Sequence, residues 1–231
     1  MIESFFKNIP IELFQRSGKV FYSGRKVFLA PSSLYVLGVN PGGAPKNHQN
    51  ETVGNHSLAV LNDYPDDWSA YRDERWEGFE PGTYGMAPRV LHLFARLELN
   101  PGSVPCSNLV FVRSQRENDI AQEMAALADL CWPFHQCVIE QHRPQVVLCF
   151  GKTTGNYVRR KLNANILISE FVETNRRKCR SQAFVNKEGV NVVIATHPSI
   201  ANWCKVDADP TDLVLDLLQQ AQPEGYSRET D

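Results

Sequence analysis

Two polar tips stand where apolar runs end. The run Leu34-Tyr35-Val36-Leu37 delivers Gly38-Val39-Asn40-Pro41-Gly42-Gly43, and a distant apolar run ends at His197-Pro198-Ser199. If both runs are strands of one open parallel sheet, their C-terminal ends face a shared crevice, which is where such sheets hold ligands. Asn40 carries a carboxamide that can orient a water molecule but cannot ionise, so it cannot act as a general base. His197 can donate a hydrogen bond to developing negative charge, best as a neutral imidazole whose pKa is held down by its surroundings. A placed water and a placed donor are what a hydrolysis that expels an anionic leaving group requires. Asn108 has an acceptor and donors on one amide, and it can read the edge of a pyrimidine in a bidentate contact. Which edge, uracil-like or cytosine-like, depends on the orientation of that amide and stays open.

These residues need elements to position them. The runs 34–39, 108–112, 145–150 and 191–196 are mostly apolar without alternation, the pattern of strands buried on both faces. Between them the spacing predicts helices over 87–99, with Val90, Leu91, Phe94 and Leu97 on one face, over 119–141 and over 153–162. A last helix starts at Pro210 behind an Asp209 N-cap and carries Leu213, Leu215, Leu217 and Leu218. Strand alternating with helix implies a three-layer α/β/α sandwich around a central, mainly parallel four-stranded sheet. Turn residues predict hairpins over 20–29, around Ser23-Gly24, and over 183–195, around Asn186-Lys187-Glu188-Gly189. The stretch 44–84 reads as a polar loop without periodicity, but Tyr64, Trp68, Tyr71 and Trp76 argue against simple disorder. The tail 222–231 is expected to fray.

Composition narrows the class. With 231 residues, 42% of them apolar, the chain can bury one good core, so 1–231 is read as a single domain. A formal net charge of −2 advertises neither nucleic acid nor an anionic membrane. Any anion-binding surface must therefore be local, and the runs Arg159-Arg160-Lys161 and Arg176-Arg177-Lys178 with Arg180 are its candidates. Glu3 and Lys7 interrupt the N-terminal apolar residues, and no apolar run nears the roughly 20 residues of a membrane span, so a soluble, cytoplasmic protein is expected. Cysteines 106, 131, 137, 149, 179 and 204 form no C-x-x-C pair and the histidines supply no ligand spacing, so reduced thiols and no metal are expected. Gly151-Lys152-Thr153 lacks the upstream glycine of a phosphate loop and reads as a strand-to-helix turn.

Taken in order, the motifs resemble a family. Gly38-Val39-Asn40-Pro41-Gly42 is similar to the Gly-x-Asn-Pro-Gly motif of the mismatch-specific and single-strand-selective branches of the uracil-DNA glycosylase superfamily. Ser107-Asn108-Leu109-Val110, followed by Arg113, is similar to the strand-tip asparagine segment of the iron–sulfur branch. His197-Pro198-Ser199 resembles the second catalytic motif, and 144–152 the usual third strand; the resemblance spans about 34–203. It implies a monofunctional DNA glycosylase that flips out a uracil or modified pyrimidine and hydrolyses its N-glycosidic bond, leaving an abasic site. Asn40 and His197 would be catalytic, and Gly38, Val39, Pro41, Gly42, Gly43, Asn108 and Tyr84 would surround the base. Lys152, Pro198, Ser199, Ile200 and Asn202 would meet the DNA, with Ile200, or else Trp203, as the wedge that replaces the flipped base. The stacking aromatic stays open among Tyr64, Trp68, Tyr71, Trp76 and Tyr84.

The chain departs from the family in two places. Val112 stands where the iron–sulfur branch has a cysteine and the N-terminal cysteine pair is missing, so neither cluster nor other cofactor is expected. The polar insertion, with His48, Asn50, Glu51, Asn55 and His56, is bulkier than a uracil pocket requires. It suits a large modified pyrimidine, even a glucosylated hydroxymethylcytosine of phage DNA removed in antiviral defence. No lysine occupies a motif position for a lyase step, and Asn40 in place of an acidic residue implies modest turnover. A monomer acting on single- or double-stranded DNA is expected. The competing readings are a non-catalytic DNA- or nucleotide-binding module and a hydrolase of free nucleosides.

Overall fold

The computed structural model describes residues 2–220. Its centre is one sheet of β1 (Leu34–Gly38), β2 (Cys106–Asn108), β3 (Val146–Phe150), β4 (Ile166–Val172), β5 (Arg180–Val185) and β6 (Asn191–Ala195), in spatial order β2-β1-β3-β6-β5-β4. The first four of that order are mutually parallel, while β6, β5 and β4 pair antiparallel. The sheet thus has six strands rather than the expected four; β1, β3 and β6 stand where expected, whereas the second strand is Cys106–Asn108 and meets the expected 108–112 only at Asn108. Every residue of β1, β3 and β6 is buried, which is why these strands read as unbroken apolar runs. β4 escaped that reading because it is an edge strand whose first five residues are exposed.

Helices α1 (Ile2–Phe6), α2 (Val53–Asn62), α3 (Ala70–Asp73), α4 (Ala87–Arg96), α5 (Met124–His142), α6 (Lys152–Lys161) and α7 (Thr211–Gln220) complete the chain. α4 and α6 lie where periodicity puts them. α5 starts five residues later than expected because Glu117–Ile120 forms a separate 3-10 turn. Asp209 accepts the Thr211 N–H at 3.0 Å, as a cap should, and also binds Arg96 at 2.8 Å and His92 at 2.9 Å. No helix among the described residues is long and apolar enough to cross a membrane.

One hairpin formed and one did not. β5 and β6 turn at Asn186–Gly189, where the Asn186 side chain accepts the Val190 N–H at 2.8 Å and Gly189 takes φ 83°. The stretch 20–29 instead runs beside β2, its backbone bonded to Cys106 through Tyr22 N–H, and then enters the 3-10 turn Arg25–Phe28. The insertion is no loop either, since it contains α2 and α3. Polar residues hid α2: its buried face is Val53, His56, Ser57 and Val60. The expected fraying of the tail lies outside the described residues.

Parallel pairing brings four chain ends to one edge. β1 and β2 stop in register at Gly38 and Asn108, and β3 and β6 at Phe150 and Ala195. The residues just beyond the four tips therefore face the same hollow.

Candidate functional site

A cavity of about 760 Å³ opens over these tips, within the range of small-molecule sites. Gly38, Val39, Asn40, Gly42 and Gly43 line it from the first tip, Asn108 from β2, and Gly151 and Lys152 from the start of α6. His197, Ser199 and Ile200 line it from the loop after β6. Asn40 and His197 thus share one hollow despite their distance in sequence. Pro41, Pro198 and Asn202 do not reach its wall; Asn202 closes its own turn by accepting the Cys204 N–H at 3.3 Å.

His197 is held in one chemical form. The Ser199 N–H donates to its Nδ1 at 3.0 Å, with the Ser199 hydroxyl on the same atom at 2.8 Å. A backbone N–H can only donate, so Nδ1 accepts and the neutral ring carries its proton on Nε2. Burial pushes the pKa down to about 4 against a smaller upward pull from Glu117, so the ring is neutral at pH 7. Gly151 lies against it at φ 85°, a conformation other residues rarely adopt, and an added Cβ would sit 3.6 Å from the His197 Cβ. Carbonyls of the His197 turn are tied outward, Pro198 to Arg89 and Ile200 to Arg177. That leaves Ile200, 60% exposed, at the tip of an anchored turn. Trp203, the other wedge candidate, is fully buried: it packs on Phe150 and donates to the Thr196 carbonyl at 3.1 Å.

Asn40 is also fixed. Its Nδ2 donates to the Pro41 carbonyl and to Ser114 Oγ, both at 2.9 Å, while Ser114 gives its own proton to the Arg116 carbonyl at 2.8 Å. Both acceptors demand the amide nitrogen on that side. The amide oxygen is left as an acceptor without a partner among the described residues. Ser114 carries no sequence signal that could have revealed this role.

Asn108 sits beneath them, 2% exposed, its amide leaning on the Tyr22 phenol and its Nδ2 making no well-formed hydrogen bond among the described residues. Gly38 makes room for it, because a Cβ there would fall 2.1 Å from Asn108 Oδ1. Among the aromatics, Trp76 and Tyr84 line the cavity, Tyr84 stacked on Phe79 at 4.4 Å between centroids. Tyr64, Trp68 and Tyr71 do not: Trp68 and Tyr71 are core residues, and Tyr64 packs on Trp68 at 4.7 Å.

Sequence reasoning missed the cavity's charges. Lys19, 4% exposed, lies 3.1 Å from Glu51 and also pairs with Glu74; Arg113, 5% exposed, pairs with Glu51 and donates to the Gly42 carbonyl. Burial alone would lower the Lys19 pKa, but the carboxylates of Glu74 and Glu51 hold it above its ordinary value. Burial raises the neighbouring Tyr22 phenol. Gly43, at φ 98°, passes so close to His48 that a Cβ would meet its Nε2 at 2.8 Å. Of the five polar residues expected to widen the pocket only His48 lines it, with Glu51 behind the wall on Lys19 and Arg113, whereas Glu74, Arg75 and Glu77 from farther along the insertion line it directly. Asn50 and Asn55 bond to each other at 3.2 Å on the surface, and His56 is buried in the core, its pKa held well below normal by burial.

Of the two basic runs only Arg180 reaches the site, while Arg176, Arg177 and Lys178 do not line it. Cys179 and Arg180 line the cavity, whereas the run 159–161 lies in the last turn of α6, with Arg159 over Phe184 at 4.5 Å and Lys161 paired to Asp129 at 2.8 Å. Among the described residues no group of three or more His, Cys, Asp or Glu is placed to hold a metal ion. No protein-family model and no curated protein matches this chain.

Proposed function

We propose that the chain is a monofunctional DNA glycosylase acting as a monomer, with the three-layer α/β/α architecture of the uracil-DNA glycosylase superfamily extended by the β4–β5 hairpin. One observation carries the reading: two strand tips place a water-orienting amide and a neutral, Nε2-protonated imidazole in one cavity. An extruded pyrimidine enters with its glycosidic bond between them. The C1′–N1 bond breaks, its electron pair passes to the base, and His197 Nε2–H steadies the charge that collects on the base carbonyl oxygen. The sugar becomes oxocarbenium-like, and the water held by the Asn40 oxygen adds to C1′ while the proton it loses passes through solvent to the departing base anion. The products are a free base and an abasic site. Because Asn40 orients water without ionising, turnover is modest.

DNA is held by Lys152, Arg180 and the Ser199–Ile200 turn, with Ile200 filling the vacated stack. Asn40→Ala and His197→Ala each abolish alkali-labile strand scission while the variants stay folded by circular dichroism. Undiminished scission in both sinks the assignment. Scission by neither wild type nor variants, with tight DNA binding, points to the non-catalytic module instead.

A second reading is favoured by the cavity's size and its charged wall of Lys19, Glu74 and Arg113, with Glu51 paired behind it. A lone uracil leaves that space unfilled. A bulky modified pyrimidine, such as the glucosylated hydroxymethylcytosine of phage DNA, fills it, and antiviral defence is then the role. Mass spectrometry of bases released from uracil-containing, ordinary and phage DNA separates the two.

A further inference from the structure

We propose that the cavity reads the 4-amino edge of a cytosine-type base, with Glu74 as the specificity-determining acceptor. This rests on the glycosylase reading of the same cavity and names the class of base that it takes. Among the described residues two buried atoms of cavity-lining side chains make no well-formed hydrogen bond: Asn108 Nδ2, which can only donate and leans on the Tyr22 phenol, and Glu74 Oε2, which as a carboxylate oxygen accepts. Leaving a buried polar atom unmet is costly, and more so for a charge, so a site that keeps a donor and an acceptor unmet is shaped for a ligand that meets both. Both residues converge on the Tyr22 phenol, which feels Lys19, Glu74, Arg113 and Asn108 together. Lys19 takes the other Glu74 oxygen, which holds Oε2 free. A third unmet atom, Arg113 Nε, is on a guanidinium tied to Gly42 and Glu51 beside the first strand tip.

The two pyrimidine edges fit this pair differently. Counting away from the sugar, a cytosine edge offers an acceptor at O2, an acceptor at N3 and a donor at the 4-amino group. His197 Nε2–H meets O2, Asn108 Nδ2 meets N3, and Glu74 Oε2 receives the amino group. A uracil edge offers a donor at N3 and an acceptor at O4. It would place its O4 against the Glu74 carboxylate, two acceptors with no proton between them. Sites built to hydrogen-bond a group reject an analogue lacking it far more strongly than apolar pockets reject a missing methyl.

Binding separates the edges without relying on turnover. The full chain is titrated with fluorescent single-stranded oligoadenylates carrying one central cytosine or uracil nucleotide, each with a 2′-fluoro group that resists glycosidic cleavage. The expected result is at least about tenfold tighter binding of the cytosine oligomer, as for one satisfied against one opposed polar group. Glu74→Gln, whose amide can donate to O4, narrows or inverts that ratio, while Glu140→Gln, an exposed carboxylate of α5 outside the cavity, leaves it unchanged. Equal affinity, preference for uracil, binding of neither oligomer, or an unchanged ratio in folded Glu74→Gln overturns the assignment. Should Glu74→Gln not fold, the wild-type ratio decides alone. Preference for cytosine with no base released from cleavable DNA keeps the edge assignment and removes the glycosylase; release of uracil in preference does the reverse.

Discussion

Two histidines of this chain share a protonation state and differ in what they do with it. His135, inside α5, accepts from the Tyr35 hydroxyl at Nδ1, 2.8 Å away, and donates from Nε2 to the Leu109 carbonyl at 3.1 Å. His197 accepts from the Ser199 N–H at Nδ1 and keeps its Nε2–H for the cavity. Burial lowers both to about 4, so both are neutral at pH 7 with the proton on Nε2. The core spends that proton on a backbone carbonyl; the strand tip leaves it unspent. Chemistry is available where a fixed donor lacks a partner, and a low pKa alone does not mark the place.

Substitution can break the comparison from either side. The largest effect is expected for His197→Ala, a loss of about 10²–10³ in single-turnover base excision, as for removal of one oxyanion donor. Its urea midpoint should hardly move. His135→Ala should do the opposite. It opens a cavity and orphans the Tyr35 hydroxyl and the Leu109 carbonyl, costing about 2–4 kcal/mol in urea denaturation while the folded fraction keeps its excision rate. If His135→Ala silenced excision in a folded protein, the distinction between spent and unspent donors would fail.

Acid sharpens the same point. Each histidine has a folded pKa below the unfolded value of 6.5, so between about 4 and 6.5 the unfolded chain binds more protons. Stability is therefore full above about pH 6.5 and is lost as pH falls towards 4. For the wholly buried His135 the loss is about 3 kcal/mol, and His135→Gln should flatten the curve of stability against pH. His56 and His142, also lowered by burial, add in the same direction. Ser199→Ala should have the smallest effect, a fall of about two- to tenfold in excision rate, because the backbone N–H that sets the tautomer remains. A loss as large as that of His197→Ala would mean that the hydroxyl, not the N–H, positions the ring.

Much of the scaffold could be read from residue order. β1, β3 and β6 announce themselves because burial on both faces removes alternation, and their tips carry Asn40, Gly151 and His197 into view. β4 was invisible because an edge strand with exposed Ile166, Leu167 and Ile168 has neither alternation nor burial. α2 hid because His56 and Ser57 occupy its inward face. The charges of the cavity were illegible for a deeper reason. Lys19 and Glu74 are 55 positions apart, and only tertiary packing brings an ammonium that looks solvated into the wall of a cavity. Burying such ions costs several kcal/mol each before pairing, a cost that local sequence does not display. Tyr71 and Trp203 show the converse, since aromatics amid polar neighbours proved to be core residues.

The most direct test of the joint cavity is mass spectrometry of bases released from uracil-containing, ordinary and hypermodified phage DNA, with abasic sites counted in parallel. Wild-type protein should liberate one pyrimidine in numbers equal to the abasic sites, and Asn40→Ala and His197→Ala should liberate it at least about a hundredfold more slowly. Free base from both variants at the wild-type rate, or from no DNA at all with the intact protein, would contradict the account.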